Sequence, residues 1–374
     1  MRRWLACVKK ELRQLARDRL LLALIAFIYT GDVMMCTYAL SFDVRNLRMV
    51  VVDEDRTPLS SRLIERFTST EYFSLASVTD TTVAVDRLLD GGKVDLALVI
   101  PPDFSRNVLS GADSDVQVLL GGMNANTANA ARGYATTIVA GYAHDAMVAQ
   151  AQRAGFTANL PEVKLEQRIW YNPELQFRYF NVISMIVVAG LMVGLVTAAA
   201  GLVREREAGT MEQLVVTPLG SLELILAKAT PPLLLGLVLL APSFGVVAWF
   251  GVPVVGSVAL FVAVAALAFV AFLSLGFLIG ALARNLQQAL LLSFFALFPL
   301  MFLSGTVAPI ESMAPVMRAL SYISPVRYYM EAALGIFLKG NGIAILWPQM
   351  AILGFMALTL GTFAVARLRR ELYR

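Results

Sequence analysis

Cysteine and histidine are almost missing from this chain. Its 374 residues include two cysteines, Cys7 and Cys36, and one histidine, His144. Two thiols, one before and one inside the first apolar stretch, give no disulfide framework. A lone histidine without a thiol cluster gives no zinc site. Charge is scarce too: Asp, Glu, Lys and Arg make up 16%, against roughly 25% in soluble proteins. A net charge of +4 is too small for a nucleic-acid footprint. The phosphate-loop, dinucleotide and nucleophile-elbow signatures are absent, and Gly91-Gly92-Lys93 reads as a turn. The chain itself is therefore expected to bind no ATP, metal, nucleic acid or other cofactor and to catalyse no reaction.

What the chain has instead is apolar length. Hydrophobic residues make up 58%, and no Asp, Glu, Lys or Arg occurs in Phe180–Val203, Ala229–Ala283, Leu286–Ile310 or Gly342–Ala366. A spanning helix needs about 20 apolar residues. Ala229–Ala283 therefore holds two, with Gly251-Val252-Pro253 as the turn between them, and Leu20–Leu40 adds another, interrupted only by Asp32. The expectation is an α-helical polytopic membrane protein with six spans. Residues 1–19 carry Arg2, Arg3, Lys9, Lys10, Arg13, Arg17 and Arg19 against Glu11 and Asp18. Residues 367–374 carry Arg367, Arg369, Arg370 and Arg374 against Glu371. The excess of cations puts both ends in the cytoplasm. A full-length span with no small-residue cleavage site reads as an uncleaved anchor. Leu5, Val8, Leu12 and Leu15 recur at helical spacing among the cations, which fits an amphipathic helix on the inner membrane surface. It fits a cytoplasmic extension of the first span equally well.

Residues 42–178 form a polar insert with 13 Lys/Arg and 17 Asp/Glu, facing outward on this topology. Strand-like runs at Leu47–Val52, Tyr72–Val78, Val94–Ile100 and Val116–Leu120 alternate with helical patterns at Pro58–Thr68, Thr82–Leu89, Pro102–Leu109 and about 126–152. That alternation predicts an inserted extracytoplasmic α/β domain. The remainder divides into a first span at 20–41, a five-helix region at 179–366 and a cytoplasmic tail at 367–374. The five-helix region contains a cytoplasmic loop at 204–223 and an outward segment at 305–341. Within that segment, Ala332–Leu338 is too short to cross and is expected to be half-inserted or to lie at the interface.

Arg204 to Leu219 is a charged, glycine-broken island between two spans. Gly209-Thr210 suits a helix break and N-cap, the acids Glu205, Glu207 and Glu212 suit a helix start, and Thr217-Pro218 suits a stop. The string Arg-Glu-Arg-Glu-x-Gly-Thr-Met-Glu-Gln-Leu-x-x-Thr-Pro-Leu resembles the cytoplasmic loop of ABC-2 type transporter permeases. More narrowly, the chain is similar to bacterial export permeases with a long ectodomain after the first span. Val50–Asp55, Asp95–Phe104, Ser304-Gly305 and Ser324-Pro325 are similar to further family segments, so the resemblance covers nearly the whole chain. It implies an inner-membrane half-transporter paired with a second, identical or different, permease half. It further implies a separate ATP-binding subunit that holds the ATP and Mg, and export of amphiphilic or drug-like compounds. A periplasmic adaptor protein and membrane lipid are the other implied partners. Arg204, Glu205, Arg206, Glu207, Gly209, Thr210, Glu212, Gln213 and Leu214 would couple this chain to the ATPase.

Two further sites stand out. Asp32 sits mid-span, where a charge costs roughly 2.5–3.5 kcal/mol. It is a candidate intramembrane polar site with Arg178 as a candidate partner. Arg327 and Glu331, four apart, form a candidate extracytoplasmic gate. Two other classes fit the same features: a proton-coupled secondary transporter working through Asp32, and a membrane sensor or scaffold whose ectodomain binds a ligand.

Overall fold

The computed structural model describes residues 2–40, 46–122, 125–153, 170–172, 176–209 and 221–372. The chain divides into two compact units, Phe42–Gln167 and the remainder, Met1–Ser41 with Arg168–Arg374.

Helix α1 (Arg2–Arg17) turns at Asp18 into α2 (Arg19–Ala39). Asp18 caps α2, its Oδ1 accepting the Leu21 N–H at 3.1 Å, which satisfies one of the free amides at a helix start. Within α2 the segment Ile28–Asp32 widens into a π turn. The Tyr29 carbonyl there accepts a bond from Ser243 Oγ at 3.2 Å.

The smaller unit runs β1 (Leu47–Asp53), α3 (Pro58–Thr68), β2 (Phe73–Val78), α4 (Thr82–Asp90), β3 (Leu96–Ile100), α5 (Phe104–Ser110), β4 (Gln117–Leu120) and α6 (Ala125–Arg153). The sheet order is β2-β1-β3-β4, with β1 parallel to both β2 and β3, and β4 antiparallel to β3. Both faces of β1 and β3 are covered. Met49, Val51, Leu96 and Leu98 pack with Leu63, Phe67 and Ala131 on one side. Val50, Val52, Ala97 and Val99 pack with Val85 on the other. Two-sided burial is why these strands read as unbroken apolar runs. The Arg48 guanidinium meets the Asp95 carboxylate at 2.9 Å and joins β1 to the entry of β3.

The larger unit continues with α7 (Phe177–Glu207), α8 (Ser221–Val238), α9 (Leu240–Trp249), α10 (Val258–Leu282), α11 (Leu286–Phe302), a 3₁₀ turn, α12 (Pro315–Ser321), α13 (Pro325–Lys339) and α14 (Ile343–Leu372). Helix α7 is buried along most of its length and lies against α10. A Cβ on Gly276 would sit 2.5 Å from the Leu195 carbonyl oxygen, and one on Gly280 would sit 2.9 Å from that of Ala199. Glycine lets the two backbones meet, as is usual between spanning helices.

Five helices are long and apolar enough to cross a membrane: Arg19–Ala39, Phe177–Glu207, Ile225–Trp249, Val258–Leu282 and Ile343–Arg370. Helix α11 is apolar but has 17 residues, about 25 Å at 1.5 Å per residue. Against the six spans expected from the sequence, the described residues hold five helices of spanning length and the shorter apolar α11. Pro231 and Pro232 lie within α8. This stretch is interrupted at Leu239, where Pro242 has no N–H to offer the carbonyl four residues before it. The expected turn at Gly251 is present, with φ +66°. Residues 367–372 are helical, the end of α14. The helix expected to lie at the interface is α13, and it is buried through Val326, Tyr329, Ala333 and Phe337 against α7, α10 and α14.

Candidate functional site

Helix α7 does not stop where the charges begin. Arg204, Glu205, Arg206 and Glu207 form its last turn, Ala208 caps it, and Gly209 follows with φ +68°. A left-handed residue just past the cap is where glycine is favoured. Thr210, Glu212, Gln213 and Leu214 lie outside the described residues.

Consecutive helical residues point about 100° apart, so four in a row face nearly every direction around the axis. Each of these four is bonded to a different part of the unit. Arg204 Nη1 lies 3.9 Å from Asp18 Oδ2, at the joint of α1 and α2. Glu205 Oε2 lies 2.6 Å from Lys228 Nζ on α8, and its Oε1 lies 3.6 Å from Lys10 Nζ on α1. Arg206 Nη1 donates to the Ala283 carbonyl just past α10. Glu207 Oε1 accepts the Leu286 N–H at 2.8 Å, capping α11.

Glu205 and Lys228 are nearly buried, with 10% and 5% of their side chains exposed. Glu11 adds a second carboxylate 3.5 Å from Lys228, so two acids and two bases balance within the cluster. Sequence reasoning treated Glu205 as part of a surface for a partner, whereas its side chain is spent on internal bonds. It also missed Lys10, Glu11 and Lys228. Glu11 and Lys228 each carry a signal. Glu11 is the lone acid on a helix of cations and shares a face with Val8 and Leu15. Lys228 is the last charge before 55 uncharged residues.

The other predicted residues stand apart from this cluster. Asp32 ends the π turn of α2, half-buried, and its Oδ1 accepts from Cys36 Sγ at 3.8 Å. Arg178 donates to Gln176 Oε1 at 2.6 Å and lies over the Tyr179 ring, so the candidate pair with Asp32 is not formed. Arg327 Nε donates to Glu331 Oε1 at 2.9 Å, and its guanidinium stacks 4.0 Å from the Tyr322 ring centre. Nearby, Ser324 Oγ donates to the Leu300 carbonyl at 3.2 Å, tying α13 to α11.

These features define a class: a polytopic helical membrane protein with an α/β unit inserted after its first span and one helix end braced against its neighbours. The chain belongs to the ABC-2 family of transporters. The family model described as ABC-2 family transporter protein matches residues 20–366. The chain is 31% identical over 368 residues to the inner membrane transport permease YhhJ of Escherichia coli, covering 97% of this chain and 96% of that one. It is 28% identical over 365 residues to the probable multidrug ABC transporter permease YbhR of the same organism, covering 97% of each. With YbhS, of the same description, it shares 30% over 345 residues, 91% of this chain and 89% of the relative. The chain is a membrane permease subunit of the ABC transporter type.

Proposed function

We propose that this chain is one membrane half of an exporter for amphiphilic or drug-like compounds, driven by ATP hydrolysed on a separate subunit. It sits in the inner membrane with six spans, α11 being the short one, and with both ends cytoplasmic. The α/β unit faces outward, and a second permease half completes the path. Residues 204–219 receive the ATPase, whose nucleotide and Mg do the chemical work.

The observation that carries this reading is the end of α7. A displacement of the segment after Gly209 acts directly on a helix whose last four side chains hold α1, α2, α8, and the adjoining ends of α10 and α11. Rigid helices joined this way turn a local push into movement of the whole bundle. The same contacts agree with the topology, because they gather the ends that alternating spans put on one side. The opposite ends meet elsewhere, with Gly256 N–H on the Ile336 carbonyl at 3.0 Å and Trp249 Nε1 on Tyr38 Oη at 3.0 Å.

The test is copurification and ATPase activity of the complex with the ATP-binding subunit, for wild type, Glu207→Ala and Gly209→Pro. Wild type retains the subunit, and the variants release it or uncouple its ATPase. Retention with unchanged coupling in both would overturn the reading. Asp32→Asn separates the exporter from a proton carrier: transport persists in the first and stops in the second.

A further inference from the structure

Helix α1 carries Lys9, Arg13 and Arg17, each four residues from the next, and all three are exposed. At 100° per residue they form one stripe along the helix. None of them has an ion-pair partner among the described residues. The two nearby acids are used internally: Glu11 faces Lys228, while Asp18 caps α2 and meets Arg204. Leu12 and Ala16, both exposed, run alongside the cations, and Leu20 is 82% exposed just beyond them. Val8 is buried on the opposite side, where α1 packs on α8.

An apolar line beside a cationic line is the pattern of a helix at a lipid surface, with its alkyl groups in the acyl boundary and its cations among the headgroups. A stripe with no acid of its own favours anionic headgroups over zwitterionic ones. The same helix touches the cluster at the end of α7, through Lys10, itself half-exposed, to Glu205 and through the more buried Glu11 to Lys228.

We infer that the Lys9–Arg13–Arg17 stripe of α1 binds anionic phospholipid of the bilayer, and that this seating sets how firmly Lys10 and Glu11 hold the Glu205–Lys228 pair that anchors the ATPase-coupling segment. The inference rests on the coupling role proposed for α7. It goes beyond that role by making coupling depend on lipid charge. A helix held flat by headgroups keeps Lys10 and Glu11 in register with α8. A helix lifted from the surface loosens both contacts, and a push on the α7 end is then dissipated rather than passed to α8.

The experiment reconstitutes the complex with its ATP-binding subunit in vesicles of phosphatidylcholine alone and of phosphatidylcholine with phosphatidylglycerol. Wild-type ATPase rises several-fold with phosphatidylglycerol, and the rise shrinks with added salt. The triple change Lys9→Gln, Arg13→Gln and Arg17→Gln keeps the phosphatidylcholine rate and loses the rise. Lys10→Gln, with the stripe intact, loses it too. Soluble glycerol phosphate does not substitute. Equal wild-type rates in both vesicles, or a triple variant that still responds, overturns the inference. A response to glycerol phosphate replaces the bilayer with a free-anion site and overturns it as well. Glu207→Ala in phosphatidylcholine keeps the two readings apart. Loss of coupling there beside an absent lipid effect sinks the lipid inference alone, while unchanged coupling both there and in Gly209→Pro sinks the α7 reading.

Discussion

Lys228 and Glu205 hold opposite charges almost out of water, and such a pair is worth little net stability while intact. Its removal by halves is another matter. Lys228→Met leaves two carboxylates, Glu205 and Glu11, facing each other with Lys10 as their remaining cation. A broken buried pair costs about 3–5 kcal/mol, so this variant melts well below wild type in detergent. The double change Lys228→Met with Glu205→Met recovers most of the loss. A single variant as stable as wild type would mean that the pair is not formed. The Tyr29 and Tyr329 hydroxyls make the reverse case, for both are buried without a hydrogen-bond partner among the described residues. An orphaned polar group costs about 1–3 kcal/mol. Tyr29→Phe and Tyr329→Phe are therefore expected to leave the melting temperature unchanged or raise it, and a clear drop would show that the hydroxyls are bonded.

Among the elements, the α/β unit was the most legible. Alternating apolar runs, Thr57-Pro58 and Pro101-Pro102 placed its strands and helices to within a residue or two at most ends, because turn chemistry and burial agree there. The internal bonds at the end of α7 were not legible, for a physical reason. Charged residues read as solvated, yet here they replace water with one another across elements far apart in sequence, and no local pattern encodes that. A short helix was expected at Ala332–Leu338, whereas α13 runs from Pro325 to Lys339, and its burial depends on neighbours that periodicity cannot supply. One element contact has a pH signature. The hydrogen bond from Arg48 holds the Asp95 carboxyl below its ordinary value, against a smaller opposing effect of burial. A depressed carboxylate stabilises the fold above its unfolded pKa, about 3.9, and that contribution is lost as pH falls through the lower folded value. Protection of the β3 amides in the full chain, taken relative to their intrinsic exchange rate at each pH, should hold from neutral pH down to about pH 5 and fall below about pH 4. Arg48→Met should lower it already at neutral pH and flatten the acid response; an unchanged profile would show that the pair does not hold β1 to β3.

For the whole molecule, apolar length and the cation bias gave an expected span number and sidedness, of which five long apolar helices are present; span length was not legible, since α11 lies in a run that continues past its helical end. Sidedness has a direct check. Only Cys7 and Cys36 need replacing to give a thiol-free background. Asp113→Cys in the α/β unit should react with a membrane-impermeant maleimide on spheroplasts, and Arg284→Cys between α10 and α11 only after permeabilisation. The opposite labelling would invert the proposed topology.

Strand order also governs how such a chain is made. β1 is both the first strand to leave the ribosome and an inner strand of the sheet, with β2 on one side and β3 on the other. Each later strand therefore adds to a template already present, and β4 closes the far edge last. The sheet can grow in the order of synthesis, complete before α7 enters the bilayer, so biogenesis of the folded unit does not wait for the spans that follow it.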